Sequence, residues 1–296
     1  MFVAINMVYK LFFSISVSAV IVCIVLVAVF GLKLNAEFRG GSLLELEFLS
    51  ERPSETSIKD VLSGLEIGHY TVVFSGDRGY TFRFGEISED LHQEIIENIK
   101  DKVTPDFEER QFDSIGPSLG RELSRKSLTA IIVATVLISI YLTIVFRKLG
   151  TVLNPWVLGL AAFIAMVHDI VIPAGVFSVL GRFRGVEIDP SLIAAALTIL
   201  GYSVNDTVVV FDRIRENYLR ERGGFEEIVH KSVRQILSRS INTTATTLLA
   251  ILAIYFFGGV TLNNFALALM IGISAGAYSS IFVAAPILMF LHKSRK

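Results

Sequence analysis

The sequence has almost no cysteine and little charge. Its one cysteine, Cys23, lies inside an apolar run, so the chain can form neither an internal disulfide nor a cysteine-based metal site. Only 19% of the 296 residues are charged and 52% are hydrophobic, which excludes an ordinary soluble globular protein. The net charge of -1 hides a segregation of charges into a few islands, and it gives no indication of nucleic-acid binding. The composition predicts a polytopic membrane protein.

Motifs of enzymes are also missing from the sequence. It has no catalytic triad pattern, no zinc-ligand spacing and no nucleotide fingerprint. Gly40 and Gly41 are not followed by the Lys and Ser or Thr of a phosphate loop, so a turn is the better interpretation. We predict that the chain is not an enzyme and has no metal or organic cofactor.

Six apolar stretches are long enough to cross a membrane. A hydrocarbon core of about 30 Å needs roughly twenty residues. The first stretch has no persuasive cleavage site before Lys33, which favours an uncleaved anchor over a signal peptide. The predicted spans are residues 11–32, 127–146, 149–180, 190–211, 240–257 and 263–291.

Basic residues predict the orientation of these spans, because loops rich in Lys and Arg stay on the cytoplasmic side. Arg182 and Arg184 in the loop before the fourth span are a small violation of this rule. A much larger cluster after the fourth span outweighs them and predicts that both termini are cytoplasmic. That cluster is Arg213, Arg215, Arg220, Arg222, Lys231, Arg234 and Arg239.

Residues 212–238 are predicted to form a cytoplasmic amphipathic segment. Apolar residues within 225–237 make a stripe suited to lying on the membrane surface or against the helix bundle. The fifth span is expected to begin only at Ser240. The stripe consists of Ile228, Val229, Val233, Ile236 and Leu237.

Residues 34–124 have the composition of a water-soluble domain and are predicted to be exported. Alternating apolar and acidic residues predict a half-buried first strand, and residues 76–79 are a strong hairpin signal. The resulting order β-α-β-β-α-β is that of ferredoxin-like domains. This α+β domain lies between residues 1–33, with the first span, and residues 125–296, with the other five. Its predicted elements are strands at 42–48, 69–75, 80–84 and 107–115, and helices at 53–62 and from Ser88.

Asp206 is a carboxylate near the end of the fourth predicted span. Three valines separate it from the first charge beyond the span. An ionised, unpaired Asp inside a membrane costs roughly 2.5 to 3.5 kcal/mol on insertion scales, and such residues usually mark an ion or proton pathway. From position alone, a structural ion pair or local hydration of Asp206 is an equally good interpretation.

Asp169 lies deeper, in the middle of the third predicted span, and is a second candidate for proton binding. His168 beside it is expected to point about 100° away around the helix, so the two are not predicted to form a relay. Tyr202 and Asn205 lie within a turn of Asp206, where they could serve as hydrogen-bond partners or as packing residues.

Polar residues crowd the start of the fifth predicted span, at 242–247. Their hydroxyls, Thr243 among them, could bond to their own helix or face neighbouring helices. In the sixth predicted span, small residues around Gly272 and Gly276 are spaced to allow close helix packing.

Four parts of the sequence resemble the SecF family, the small subunit of the SecD/SecF protein-export machinery. Residues 193–217 match the family's signature almost residue for residue, and residues 116–120, 240–243 and 278–280 agree with it in order. Residues 38–41 also resemble the family, although Asn35 and Glu37 stand where Gly and Asp are usual. This departure concerns the geometry where the first helix meets the soluble domain.

The resemblance implies a fold related to one half of the resistance-nodulation-division transporters, in the prokaryotic cytoplasmic (inner) membrane. It implies SecD, the SecYEG translocon, a small YajC-type subunit, preproteins and membrane lipids as partners, and no nucleic acid. Protons would be the coupling ion that drives preprotein translocation. The family's proton-linked aspartate falls on Asp206, and its interacting arginine falls on Arg239.

Two other functions are compatible with parts of this pattern. An exporter of small molecules or lipids from the same superfamily would have twelve spans and large exported domains in one chain, and this chain has half that number. A passive scaffold of a translocon would tolerate neutralisation of Asp206, which a proton-driven subunit would not.

Overall fold

A computed structural model describes residues 2–65, 67–68, 70–149, 154–221 and 223–293. The chain divides into a helical unit, Met1–Lys33 with Leu128–Lys296, and an α+β unit, Leu34–Ser127. In chain order the elements are α1 (Phe2–Phe30), α2 (Ala36–Arg39), β1 (Gly41–Phe48), α3 (Glu55–Ser63), β2 (Thr71–Ser75), β3 (Gly79–Phe84), α4 (Glu89–Lys102), β4 (Phe107–Ile115), α5 (Pro117–Val145), α6 (Pro155–Arg184), α7 (Pro190–Arg220), α8 (Phe225–Phe257), α9 (Val260–Ser279) and α10 (Ala285–Lys293).

The prediction of a polytopic helical membrane protein is confirmed. Within the described residues, six helices are long and apolar enough to cross a membrane, and the last of them runs from α9 through a π-helical turn, Ser280–Ala284, into α10. The six segments are Tyr9–Phe30, Pro117–Val145, Pro155–Arg184, Pro190–Arg220, Phe225–Phe257 and Leu262–His292.

The α+β unit contains one antiparallel sheet with the strand order β2-β3-β1-β4. Leu44 pairs with Phe82 and Leu46 with Tyr80 across β1 and β3, and all four side chains are buried under α3 and α4. The element order matches the prediction. Serine side chains cap both helices of this unit, because Ser54 accepts a hydrogen bond from the Ser57 amide, and Ser88 caps α4 in the same way.

Some predicted segments lie outside the described residues. They are His69 at the start of a predicted strand, residues 150–153 in the third predicted span, Arg222 in the basic cluster and residues 294–296 of the basic tail.

The segment at 225–237 packs against the bundle, which is one of the two placements predicted for its apolar stripe, and it is not a separate element. It is the first part of α8, which continues without a break into the fifth span. The sequence between Leu237 and Ser240 has no Gly or Pro to end a helix. Most of the apolar stripe is buried in the core of the helical unit, where Val229 and Val233 belong to the same cluster as Phe211, whereas Leu237 remains 38% exposed. Burial against the bundle therefore holds this segment in line with the span.

Two other helices extend beyond their predicted membrane spans. Helix α5 begins at Pro117 rather than at residue 127, since a proline at the first helical position has its backbone angle set for a helix. Helix α7 continues past residue 211 to Arg220, where pairs such as Arg220 with Glu216 line its surface.

Glycines bring α9 against α7, as the small-residue spacing predicts. A Cβ atom on Gly276 would lie 3.1 Å from the Cβ of Ser203, and one on Gly272 would overlap the side chain of Ile199. Without side chains at these positions the two helices approach closely. This approach places Ser279 and Ser280 opposite polar residues of α7.

The end of α1 is tied to the loop between α6 and α7. The Ile188 amide donates to the Lys33 carbonyl at 2.7 Å, and the Lys33 ammonium lies 3.2 Å from the Glu187 carboxylate. Gly31, with a φ of +71°, turns the chain out of α1 to make these contacts.

Candidate functional site

Asp169 lies at the centre of the helical unit and has no solvent exposure. Its Oδ2 atom accepts hydrogen bonds from Ser203 of α7 and from Ser279 of α9, the latter at 2.9 Å. Its Oδ1 atom lies 2.8 Å from Nδ1 of His168. A buried carboxylate is costly unless it is paired and hydrogen-bonded, and three polar partners meet that need here.

The contact between His168 and Asp169 was not predicted from the sequence. Their Cα–Cβ bonds do start about 100° apart around α6. However, α6 is buried on several sides at this level, so both side chains remain inside the bundle and bend toward each other. The imidazole reaches the carboxylate across this angle.

A second layer of hydroxyls lies beside this group. The hydroxyls of Thr207 on α7 and Ser280 are 3.0 Å apart, and Thr207 also donates to the Ser203 carbonyl. Ser279 and Ser280 both donate to the Gly276 carbonyl, at 3.1 and 2.9 Å. The π-helical turn begins at Ser280, and such turns occur often at functional sites. Asp169 is therefore surrounded by a buried hydroxyl network that joins α6, α7 and α9.

Asp206 lies one turn beyond Ser203 on α7 and is 7% exposed. Its Oδ2 atom accepts a hydrogen bond of 2.9 Å from the Ser240 hydroxyl of α8. Asp206 is thus a second carboxylate inside the helical unit, held by one hydroxyl rather than by three polar groups.

Arg239 is exposed on α8, next to Ser240 in sequence. Its positive charge acts on the Asp206 carboxylate. The ion pairs within 4 Å that the described residues form include no pair between Arg239 and Asp206. In this arrangement the arginine is an electrostatic neighbour of Asp206, and Ser240 makes the direct contact.

The supporting residues predicted around Asp206 have other neighbours. Tyr202 donates to the Thr247 hydroxyl at 3.3 Å, and Asn205 is exposed. The Thr243 hydroxyl donates to the carbonyls of its own helix at Arg239 and Ser240. Among the described residues, none of these three hydrogen-bonds to Asp206.

Sequence reasoning missed the residues that do hold the two carboxylates, namely Ser203, Ser240 and Ser279. Each lies in a stretch that carries the family resemblance. The available signal was a hydroxyl residue one helical turn from an acidic residue, as for Ser203 and Asp206, or in a segment opposite one. Local spacing alone could not select these serines from the many other serines and threonines in the spans.

A cleft of about 540 Å³ lies in the helical unit beside this network. His168 forms part of its wall, and the Tyr278 ring, whose centroid is 6.1 Å from that of His168, forms another part. Tyr278 donates to the Phe12 carbonyl of α1 at 2.8 Å. The other wall residues are Ile172, Met270, Ile271, Ser274 and Ala275.

In the described part of the chain, no group of three or more His, Cys, Asp or Glu side chains is placed to hold a metal ion. The buried polar groups around Asp169 and Asp206 are carboxylates, an imidazole and hydroxyls, which can accept or donate protons.

Among the described residues, six apolar helices, two buried carboxylates within them and a small antiparallel α+β unit define a polytopic α-helical membrane protein. Residues 95–294 match the family described as "Protein export membrane protein SecD/SecF, C-terminal". The chain belongs to the SecD/SecF family of protein-export membrane proteins, and the relatives that it resembles are SecF subunits.

Two relatives illustrate the similarity. The protein translocase subunit SecF of Thermobaculum terrenum is 41% identical, with 94% of this chain and 90% of the relative covered. The corresponding subunit of Anaerolinea thermophila is 37% identical, with 94% and 91% covered.

Solved structures of SecDF are similar as well. The crystal structure of SecDF from Thermus thermophilus, described as a translocon-associated membrane protein, matches with a TM-score of 0.79 and 31% identity over 96% of this chain. A super-membrane-facing form of SecDF matches with a TM-score of 0.65 and 32% identity over 97% of this chain. The chain spans 38% of the length of each SecDF chain.

Proposed function

We propose that this chain is a SecF-type subunit that works with a SecD-like partner in the cytoplasmic membrane and uses the proton-motive force to promote preprotein translocation and release. It carries out this work without bond-making chemistry or a bound cofactor, and protons are the coupling ion. The observation that carries the proposal is a nearly buried carboxylate, Asp206, in a membrane-spanning helix, with a single hydroxyl donor and a neighbouring arginine.

The physical argument starts from the charge of Asp206. When the carboxylate is ionised, it attracts the Arg239 side chain and accepts the Ser240 hydrogen bond. When it binds a proton, the charge disappears, and the arrangement of α7 against α8 that depended on it becomes less favourable. Moving one charge across 100 mV provides about 2.3 kcal/mol, which is enough to bias two such arrangements.

Asp169 belongs to the same proposal as a second proton-binding position. It is fully buried and lies on α6, the helix that precedes the one that carries Asp206. Intramembrane carboxylates that face the interior of a bundle are typical of proton pathways.

The proposal of a SecD-like partner is supported by the similar proteins and not by contacts in this structure. The similar SecDF chains are longer than this one, and the name SecDF joins SecD and SecF. We therefore propose that a separate SecD-like chain supplies the pseudo-symmetric other half, as in transporters built from repeats. The pair would act beside the SecYEG translocon, with a small YajC-type subunit, and both termini of this chain would be cytoplasmic.

The test uses Asp206→Asn and Arg239→Ala in cells that also produce the SecD-like partner. Preprotein release at the outer face is measured with and without a proton gradient. Both variants are expected to lose the acceleration that the gradient provides. Asp212→Asn is the matched control, because Asp212 lies on the same helix, is exposed and pairs with Arg215. Release that stays fully dependent on the gradient in Asp206→Asn would refute the proposal.

A further inference from the structure

We infer that His168 and Asp169 form a proton relay that leads from the cleft to the Asp169 carboxylate, with Ser203 and Ser279 as the residues through which the protonation of Asp169 positions α7. The inference rests on the proposed function and assigns residues beyond Asp206 and Arg239. It depends on one juxtaposition, in which His168 lines the cleft and also contacts a carboxylate held by two serines.

The first step concerns the two nitrogens of His168. Nδ1 lies 2.8 Å from Asp169 and is engaged there. An arriving proton therefore binds at Nε2 and converts the ring to imidazolium. Transfer of the Nδ1 proton to Oδ1 of Asp169 then leaves a neutral ring, with its proton on Nε2, and a neutral carboxyl group. One proton enters and one proton resides on Asp169, so the step is balanced.

The second step concerns Oδ2 of Asp169. Ser203 and Ser279 both donate to this atom, one from α7 and the other from α9. Hydrogen bonds to an ionised carboxylate are roughly twice as strong as those between neutral groups. Protonation of Asp169 therefore weakens both bonds together. The three helices are held most tightly at this point when Asp169 is ionised.

The third step leads to Asp206. Ser203 lies three residues before Asp206 on α7, less than one turn away. The Thr207 hydroxyl, next to Asp206, donates to the Ser203 carbonyl and contacts Ser280. A change in the hydrogen bond between Ser203 and Asp169 therefore also affects the position of the turn of α7 that carries Asp206.

Among the described residues, few other ionisable side chains lie near His168 and Asp169. Of these, the one in contact with this pair is Tyr278 of α9, whose ring stacks on His168 and whose hydroxyl is occupied by α1. Helix α7 contributes Asp206 beyond Ser203, and α1 contributes Ser16 and Cys23, which contact Tyr278 and α6 respectively.

The first experiment reads His168 directly. The full chain, produced with its SecD-like partner in lipid nanodiscs, is labelled with ¹⁵N-histidine, and the His168 ring signals are identified by their loss in His168→Asn. These signals are expected to change with pH, and Asp169→Asn is expected to move the midpoint of that change. Ser178→Ala is the control, because this buried serine of α6 bonds to the Leu26 carbonyl and not to Asp169. A midpoint that is the same in Asp169→Asn and wild type would overturn the relay.

The second experiment measures gradient-driven preprotein release per inserted copy of the chain. His168→Asn keeps an amide donor for Asp169 but cannot carry a proton, so a loss of about tenfold or more is expected, since a positioned proton-transfer group typically contributes at least that factor. Ser203→Ala is expected to show a smaller loss, because it removes one of the two Oδ2 donors. Ser178→Ala, which lies outside this group, should keep both its gradient-driven release and its release without a gradient.

The outcomes separate the two proposals. If Asp206→Asn abolishes gradient dependence while His168→Asn, Asp169→Asn and Ser203→Ala behave like Ser178→Ala, the relay is wrong and the proposed function stands. If Asp206→Asn also keeps its gradient dependence, the proposed function itself fails.

Discussion

The Ser240 hydroxyl donates a hydrogen bond of 2.9 Å to the Asp206 carboxylate and thereby joins α8 to α7. This contact lies at the residue where the sequence predicts the start of the fifth span. Thr244, one turn further along α8, also faces inward, and its buried hydroxyl has no hydrogen-bond partner among the described residues. The face of α8 that carries Ser240 and Thr244 is therefore the polar wall opposite Asp206.

Removal of this hydroxyl should destabilise the helical unit. In Ser240→Ala the nearly buried carboxylate loses its donor, and a hydrogen bond to a charged group contributes about 1.5 to 3 kcal/mol. The expected result is a lower midpoint of thermal unfolding in detergent micelles, with Ser240→Thr close to wild type. Ser274→Ala is the control, because Ser274 is exposed and bonds only within α9. An equal shift in Ser240→Ala and Ser274→Ala would contradict the prediction.

Gly276→Ala should separate α9 from α7. The added Cβ would lie 3.1 Å from that of Ser203, in the contact that also brings Ser279 to Asp169. Overpacking of this kind typically costs about 1 to 3 kcal/mol, so thermal unfolding should occur at a lower temperature. Gly201→Ala on α7 serves for comparison, because its Cβ would meet no neighbour and alanine favours a helix by up to about 1 kcal/mol. A Gly276→Ala protein as stable as Gly201→Ala would show that the helices do not need this close approach.

Asn217 should hold the end of α7 to the start of α8. Its buried side-chain amide donates to Ser232 and to Gln235, both at 2.8 Å. Asn217→Ala leaves these acceptors without their donor, at a cost of about 1 to 3 kcal/mol. Limited proteolysis of membranes should then cut between the two helices faster than in wild type. Asn98→Ala, in the α+β unit, changes an exposed bond within one helix and should leave that cleavage rate unaltered.

The α+β unit should become less stable in acid through Glu89. The Gln93 amide and then the His92 ring donate to this carboxylate and lower its pKa below the usual value. Because the folded-state pKa is depressed, the stabilisation is fully present above about pH 4.3, the ordinary glutamate value, and is lost as the pH falls through the folded-state pKa.

Hydrogen exchange of α4, followed by mass spectrometry on the full chain, measures this effect. Exchange in wild type should accelerate as the pH falls below about 4.3, after correction for the intrinsic rate. Glu89→Gln should flatten that dependence, whereas Glu97→Gln, a change at an exposed site on the same helix, should retain it. Parallel curves for wild type and Glu89→Gln would remove Glu89 as the cause.

Patterns of local period predicted most of the elements. The alternation of Leu44, Glu45, Leu46 and Glu47 predicted the strand β1, because successive side chains of a strand point to opposite faces. The apolar runs predicted six spans because the length and the apolar composition of a run decide whether a helix can cross a membrane. The helix caps at Ser54 and Ser88 follow a local pattern as well, because a capping side chain bonds to an amide only two or three residues further along the chain.

Relations between helices were not predictable in this way. The stripe from Ile228 to Ile236 was recognised, but its period does not say whether a membrane surface or a protein core covers it. The contact of His168 with Asp169 depends on α6 being buried on several sides, which no spacing within α6 encodes. Ser203, Ser240 and Ser279 converge on the carboxylates only because four helices, α6 to α9, pack together, and Gly272 and Gly276 set part of that packing.

The contacts of Lys33 with Glu187 and Ile188 fix the end of α1 to the connection between α6 and α7. That connection is shared by the helix with Asp169 and the helix with Asp206, while Lys33 is the final residue of the helical unit before the chain enters the α+β unit. The residue at which the chain leaves the helical unit is thus fixed to the connection between the helices that carry the two acids. Any displacement of that connection would reach Lys33 through one backbone hydrogen bond and one ion pair.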